Sequence, residues 1–284
     1  MTDRDTLTYL ISERARRPGL ADTLDLHIAI LEARAGFDVR DAQGGMRAED
    51  APARLARGEP LVRADDLIID WNAFARLSQT ICRIAARYRP NDADAFAELA
   101  AQFSAPARVE QLTRDYLRDT QHESRSTQDA SISESLISPS LSPSPLSLFV
   151  LNNALHPFLA ATARQLQPML NDETWYRAYC PICGGEPDFA ALEKENGTRR
   201  LLCARCDGEW AFGRSACPFC GEDAPGKLGY YPGTEGVYRL YTCGNCRRYL
   251  KTIDLRELAR DANLAAERVL TIAMDAAARE AGYC

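Results

Sequence analysis

Histidine is nearly absent from this 284-residue chain, which carries three, and no H-E-x-x-H pair exists to hold a catalytic metal. A nucleophile elbow and a dinucleotide fingerprint are also missing, so no catalytic constellation is expected and the chain reads as a non-enzyme. Long apolar runs are missing too: no uncharged, continuously apolar stretch reaches 18 residues, and no membrane insertion is expected. The opening MTDRDTLTYLISERARRPG has acidic residues at once and neither an apolar core nor a cleavage site. That predicts a cytoplasmic protein. Basic residues are not in excess either: 34 Lys and Arg face 40 Asp and Glu, for a net charge of −6. A phosphate-coating surface needs the opposite balance, so no nucleic-acid partner is expected.

Cysteine is the residue present in surplus. There are ten, and eight fall between Cys180 and Cys246, leaving Cys82 and Cys284 apart. In a reducing compartment, dense cysteine means thiolate ligands rather than disulfides. The eight form four C-x-x-C pairs: Cys180–Cys183, Cys203–Cys206, Cys217–Cys220 and Cys243–Cys246, separated by 19, 10 and 22 residues. One such pair wraps a tight turn around a metal and fills two corners of a tetrahedron; a second turn fills the others. Sequential pairing predicts one metal site of Cys180, Cys183, Cys203 and Cys206 and another of Cys217, Cys220, Cys243 and Cys246. Pairing the middle two would force the outer pairs to meet over a long span. Gly184 and Gly221 follow opening knuckles, where the chain leaves through a left-handed residue; Asp207 and Arg247 follow the closing ones. The repetition looks like a duplicated module. All-sulfur coordination suits iron or zinc, and spacing does not choose.

The rest predicts an α+β protein: a mainly helical N-terminal domain over 1–170, two tandem rubredoxin-like or zinc-ribbon modules over 176–213 and 214–252, and a helical tail over 253–284. Leu20, Leu24, His27, Ile28 and Leu31 recur at helical spacing, with Gly36 as a stop. Trp71, Phe74, Leu77, Ile81 and Ile84 mark a second helix, closed by Pro90. Phe96–Phe103 and Val109–Leu117 mark two more, and the segment 41–60 reads as a connection. Ten of the 24 residues of Ser124–Ser147 are serine, which predicts a flexible segment. Helix resumes over Leu148–Leu166, where Pro157 should kink it and His156 is placed to cap or kink. A last helix should run from about Leu255 to Glu280. His27 reads as a core or boundary residue, and Cys82 as a small buried hydrophobe.

Competing signals are weaker. A thioredoxin-like redox pair expects one C-x-x-C beside a βαβ unit, not four. Gly221–Lys227 matches the first seven positions of a phosphate-binding loop, but Leu228 stands where Ser or Thr should bind magnesium, so it reads as a turn. From Arg177 to Lys251 there are eleven basic and nine acidic residues, and eight thiolates with two divalent ions turn that slight excess negative. Arg247, Arg248 and Lys251 read as a solvated or partner-facing patch.

Taken with their flanks, the knuckles resemble a known family. YCPICGGEP (179–187), LLCARCDGEW (201–210), CPFCG (217–221) and TCGNCRRYLKTIDLR (242–256), with LNNALHPFL before them and DAAAREAGY after, resemble the formate dehydrogenase accessory protein FdhE family over roughly 148–283. The helical half is similar only in pattern, as in GEPLVRADDL (58–67), and 124–147 looks like an insertion. The resemblance implies a cytoplasmic protein with a helical part and two rubredoxin-like metal modules, the eight cysteines as ligands, and iron as a plausible metal. It implies a chaperone role in maturing respiratory formate dehydrogenase, with that enzyme's catalytic subunit as partner. Trp210, Tyr230, Tyr231 and Tyr249 are candidate contacts for it, since aromatics dominate binding hot spots; packing of the ribbons is the alternative use. Rubredoxin-like electron transfer and nucleic-acid binding are the rival functions.

Overall fold

The computed structural model describes residues 2–37, 48–126, 144–171, 174–233 and 236–284. Nine helices and six strands occur among them: α1 (Asp3–Arg16), α2 (Ala21–Ala35), α3 (Ala51–Ala56), α4 (Trp71–Tyr88), α5 (Ala93–Gln102), α6 (Pro106–Ser126), α7 (Pro145–Leu166), β1 (Pro187–Leu192), β2 (Arg199–Cys203), β3 (Glu209–Ala211), β4 (Leu228–Pro232), β5 (Tyr238–Cys243), β6 (Tyr249–Asp254), α8 (Leu264–Leu270) and α9 (Ile272–Glu280). The chain divides into two compact units, Met1–Arg47 with Val62–Gln165, and Ala48–Leu61 with Leu166–Cys284.

The first unit is helical. Two of its helices, α1 and α4, begin where short polar side chains satisfy otherwise unpaired N–H groups. The Asp70 carboxylate accepts from Asn72 and Ala73 N–H at the start of α4, and Thr2 forms a capping box with Asp5 at α1. The apolar stripe of α4 turns inward, with Phe74 and Ile81 at 0 % exposure, and Phe74 packs against Phe158 of α7 at 5.9 Å between ring centroids. Cys82 is buried on the same helix. By length and composition alone, the stretch Pro145–Met169 could cross a membrane. It instead supplies core, with Val150, Leu151 and Ala154 wholly buried. α7 runs through Pro157 without a break in helical assignment, although that residue offers no N–H to the turn before it. His156 therefore does not cap. Its ring is buried beside Arg34, whose guanidinium also holds Asp3 at 2.6 and 2.9 Å. His27 lies half-buried on α2. The serine-rich stretch expected to be flexible falls largely outside the described residues; 124–126 close α6 and 145–147 open α7.

The second unit carries the sheet, in the order β3-β2-β1-β6-β5-β4. β1, β2 and β3 form one antiparallel meander and β4, β5 and β6 a second, so the repeat seen in the knuckles is a repeat of three-stranded ribbons. The ribbons fuse through a parallel pairing of β1 with β6, Phe189 opposite Lys251 through Leu192 opposite Asp254. β1 thereby becomes a central strand, which explains its almost unbroken apolar run. Phe189, Ala191, Leu202 and Ile253 form a core on one face, with Leu255, Leu258, Ala262 and Leu264 packed on it.

The two sheet edges differ. At β3 the Gln167 side-chain amide mimics a neighbouring strand: it donates to the Glu209 carbonyl at 2.7 Å and accepts from the Glu209 N–H at 3.0 Å. At β4 the edge ends in exposed Tyr230, Tyr231 and Pro232.

Two expectations change here. The segment Ala48–Leu61, legible only as a connection, holds α3 and joins the second unit: the Leu61 N–H donates to the Pro181 carbonyl at 2.9 Å and the Tyr179 hydroxyl to Gly58 at 2.7 Å. Gly58 has φ +69°, and a Cβ there would collide with the Arg177 guanidinium. The last helix does not start at Leu255. Asn263 caps α8 by accepting from the Ala266 N–H at 3.0 Å, and Thr271 separates α8 from α9.

Candidate metal centres

Each knuckle is the same hydrogen-bonded turn. The N–H of its first cysteine donates to the carbonyl five residues on, and the carbonyl of that cysteine accepts from the N–H four residues on. The pairs are Cys180 N–H to Gly185 (2.8 Å) with Gly184 N–H to Cys180 (2.9 Å), Cys203 to Gly208 (3.0 Å) with Asp207 to Cys203 (3.3 Å), Cys217 to Glu222 (2.9 Å) with Gly221 to Cys217 (3.0 Å), and Cys243 to Arg248 (2.9 Å) with Arg247 to Cys243 (3.0 Å). β2 and β5 end on Cys203 and Cys243, so each ribbon delivers its closing knuckle directly from a strand.

The turn requires a left-handed residue at its fifth position, where the opening knuckles carry Gly184 (φ +72°) and Gly221 (φ +73°). The closing knuckles put Asp207 (φ +54°) and Arg247 (φ +59°) there, a conformation that costs an L-residue about 1–2 kcal/mol. Both are tied to the end of the chain. Asp207 pairs with Arg268 of α8 at 3.1 Å. Arg247 donates to the Ala281 and Gly282 carbonyls, stacks on Tyr283 at 4.4 Å, and its carbonyl accepts from the Cys284 N–H at 2.8 Å.

The turns bring the eight cysteines into two groups. Cys180, Cys183, Cys203 and Cys206 place their sulfurs within 4.8 Å of one another, and Cys217, Cys220, Cys243 and Cys246 do the same. Close approaches are Cys180 to Cys206 at 3.6 Å, Cys183 to Cys203 at 3.5 Å, and Cys217 to Cys246 and Cys220 to Cys243 at 3.7 Å. These are too long for disulfides, which need about 2.05 Å. They match the edge of about 3.8 Å of a sulfur tetrahedron with metal–sulfur bonds of about 2.3 Å. The donor sets therefore fit one metal each, and two ions could be held. Main-chain N–H groups of Ile182, Arg205 and Gly208 lie 3.4 Å from sulfurs of the first group, and that of Phe219 lies 3.4 Å from Cys217 of the second. Such donors favour thiolate over thiol.

The groups differ in exposure. The first is sealed, at 0–1 % for all four cysteines. In the second, Cys220 is exposed and Cys246 half-buried. Gly185 and Gly208 make the sealing possible: a Cβ at Gly185 would lie 2.9 Å from the Cys203 sulfur, and one at Gly208 would lie 2.9 Å from Ile182 and 3.2 Å from the Cys206 sulfur. The second group has Glu222 and Arg248 at those places. The contrast was readable as C-x-x-C-x-G against C-x-x-C-x-E and C-x-x-C-x-R. Cys82 and Cys284 join neither group, and burial pushes the Cys82 thiol up to about 12.

Other sequence candidates move. Trp210 is no contact residue: it is 1 % exposed, and its indole N–H donates to the Arg177 carbonyl at 3.1 Å. The Tyr249 hydroxyl donates to Asp275 at 2.8 Å, leaving Tyr230 and Tyr231 as the exposed pair. The basic run is not a free patch. Lys251 is buried against Asp275 and the Arg268 carbonyl, Arg248 pairs with Glu186 at 2.6 and 2.8 Å, and Arg247 holds the chain end. The segment after Gly221 forms turns leading into β4 rather than a helix, as expected of a decoy.

No family model matches the chain. Curated relatives do: it is 32 % identical over 142 residues to the protein FdhE homolog of Aquifex aeolicus, covering 48 % of each chain. It is 35 % identical over 121 residues to that of Pseudomonas aeruginosa, covering 39 % of this chain and 38 % of the relative. The chain spans about half the length, or less, of the curated relatives it matches. In structure it is similar to the crystal structure of the FdhE protein from Pseudomonas aeruginosa, with a TM-score of 0.60 and 20 % identity, over 99 % of this chain and 91 % of that one. By sequence the chain is similar to FdhE homologs over about half its length or less, and by fold it is similar to the FdhE protein from Pseudomonas aeruginosa over nearly all of it.

Proposed function

We propose that this chain is a cytoplasmic, non-catalytic accessory protein that binds the catalytic subunit of respiratory formate dehydrogenase during its maturation. In this reading Cys180, Cys183, Cys203 and Cys206 hold one metal ion, iron or zinc, and Cys217, Cys220, Cys243 and Cys246 hold the second. The helical region 1–170, the modules 176–213 and 214–252, and the tail 253–284 are its functional divisions. The observation that carries it is the pair of four-sulfur groups set in one sheet, in a chain with the FdhE fold. Four protein sulfurs leave no corner of a tetrahedron for water or substrate, so the metals act as scaffolding. Exposed Tyr230 and Tyr231 offer aromatic contact to the client. Deleting the gene tests the reading: respiratory formate dehydrogenase activity should vanish while unrelated molybdoenzymes keep working. Recovery of the catalytic subunit on a tagged copy should accompany it, and normal activity in the deletion strain overturns the reading.

A second reading is rubredoxin-like electron transfer, favoured by the exposure of Cys220 in the second group. It requires bound iron with a reversible absorbance change at physiological potential. A redox-silent zinc protein excludes it.

A further inference from the structure

The closing halves of the two ribbons repeat with an offset of forty residues. Cys203 and Cys206 answer to Cys243 and Cys246, and Arg199, which opens β2, answers to Arg239. The strand pairings keep the same offset, with Arg200 opposite Ala211 in one ribbon and Leu240 opposite Lys251 in the other. In the second ribbon Arg239 pairs with Asp254. Forty residues before Asp254 stands Arg214, so the first ribbon carries an arginine where the repeat places the carboxylate.

Arg199 turns instead to the opening knuckle of the neighbouring ribbon. It is 2 % exposed, and its Nη2 donates to the Gly213 carbonyl and, at 2.7 Å, to that of Ala216, the residue before Cys217. With Cys217, Phe219, Cys243 and Arg248 it lines a cavity of about 20 Å³, room for about one water, against the second cysteine group. Arg248 already pairs with Glu186. Burial pushes the Arg199 pKa down to about 10, against the pull of Tyr241 and of the Cys217 sulfur.

We infer that Arg199 belongs to the second metal centre, as a buried cation beside its four sulfurs that favours their complex with a divalent ion. The inference rests on the reading of Cys217, Cys220, Cys243 and Cys246 as the ligands of one metal. Four thiolates around a divalent ion leave two negative charges, and around a trivalent ion they leave one. A neighbouring positive charge stabilises the more negative complex more, and burial enlarges the difference by lowering the local dielectric. Groups behind the ligands tune a metal site in this way. Here the tuning residue comes from the other ribbon, so β2 closes the first centre with Cys203 and adjusts the second with Arg199.

Chelator titration of zinc-loaded, full-length protein tests it, with Cys220→Ser identifying the equivalent held by the second group. Arg199→Met should weaken that equivalent by about 10–100-fold, as loss of a group behind the ligands does, and leave the other unchanged. Retention of the other equivalent shows that the variant folds. Arg199→Lys keeps the charge and should hold zinc as the native protein does. Arg199→Gln keeps a donor for the carbonyls without the charge and should behave as Arg199→Met. In iron-loaded protein, a tenfold loss of preference for the ferrous state should lower the potential of the second centre by about 59 mV in Arg199→Gln. A second equivalent held equally well by Arg199→Met and native protein overturns the inference. So does equal weakening of both equivalents, or Arg199→Gln matching Arg199→Lys. Fewer than two zinc equivalents in the native protein would instead overturn the metal reading, and the inference with it.

Discussion

Asp207 and Arg268 meet at 3.1 Å across a gap of sixty residues, and the pair secures a backbone conformation that aspartate disfavours. Asp207 stands left-handed in the closing knuckle of the sealed cysteine group. Arg268, on α8, also donates to the Cys203 carbonyl at 3.0 Å and pairs with Asp188 at 2.9 Å. Glycine would relieve the strain but lose the pair; alanine would lose the pair and keep the strain. Asp207→Ala should therefore cost about 1–2 kcal/mol more than Asp207→Gly. Paired urea melts of metal-loaded protein measure the difference, and equal midpoints would dismiss the strain.

Exposure predicts an order of loss for metals held by the two groups. The second group has an exposed Cys220, whereas every cysteine of the first is buried. A chelator with a colorimetric readout should strip one equivalent quickly and the other slowly. Cys220→Ser should remove the fast equivalent and leave the slow one. A single release phase in the unmodified protein would contradict the asymmetry.

Gly208 tests the sealed group from the other side. Its Cβ would press on Ile182 and the Cys206 sulfur, so Gly208→Ala should destabilise the first group by about 1–3 kcal/mol, as overpacking does. Metal analysis should show the first equivalent weakened and the second retained. Arg248, at the matching place of the second group, should accept alanine with both metals kept.

Asp254 predicts a dependence on acid. It has no side-chain exposure, and the hydrogen-bonded Arg256 guanidinium, with Arg239 opposite, holds its carboxyl below the usual 3.8. A carboxyl lowered in the folded state contributes its stability in full above the unfolded value. That contribution fades as pH falls through the lower folded value. Asp254→Asn removes it, so the stability gap between the two proteins should be wide at pH 6 and narrow towards pH 3. A gap independent of pH would refute the pairing. Comparing the two proteins cancels the shared loss of metal in acid.

What was legible followed from sequence distance. The knuckles are local turns, so spacing alone placed Gly184 and Gly221, and the structure groups the sulfurs in consecutive pairs. The stripe on α4 was equally local, since one helix presents Phe74 and Ile81 to one core. The parallel joining of β1 to β6 depends on residues far apart, and no pattern within either strand announces it. Asp207 and Arg247 could not be read as left-handed, because what holds them comes from α8 and the chain end. Trp210 read as a contact because composition does not distinguish a packed indole from an exposed one. The tail read as one helix because its apolar spacing continues from Leu255 through Thr271, but 255–262 form turns and loop, Asn263 caps α8 only after them, and Thr271 separates α8 from α9.

The β1–β6 pairing also sets an order of events during synthesis. β1 leaves the ribosome well before Tyr249–Asp254, so the first ribbon emerges with its most apolar strand as an open edge. Such an edge invites pairing with other chains, and long-range partners arrive late. Metal capture by Cys180, Cys183, Cys203 and Cys206 can precede β6, because all four are already translated, and metal binding supplies folding free energy. Were the first group to take its metal at that stage, closing the first ribbon would depend on metal supply during translation and not only on the stability of the finished protein.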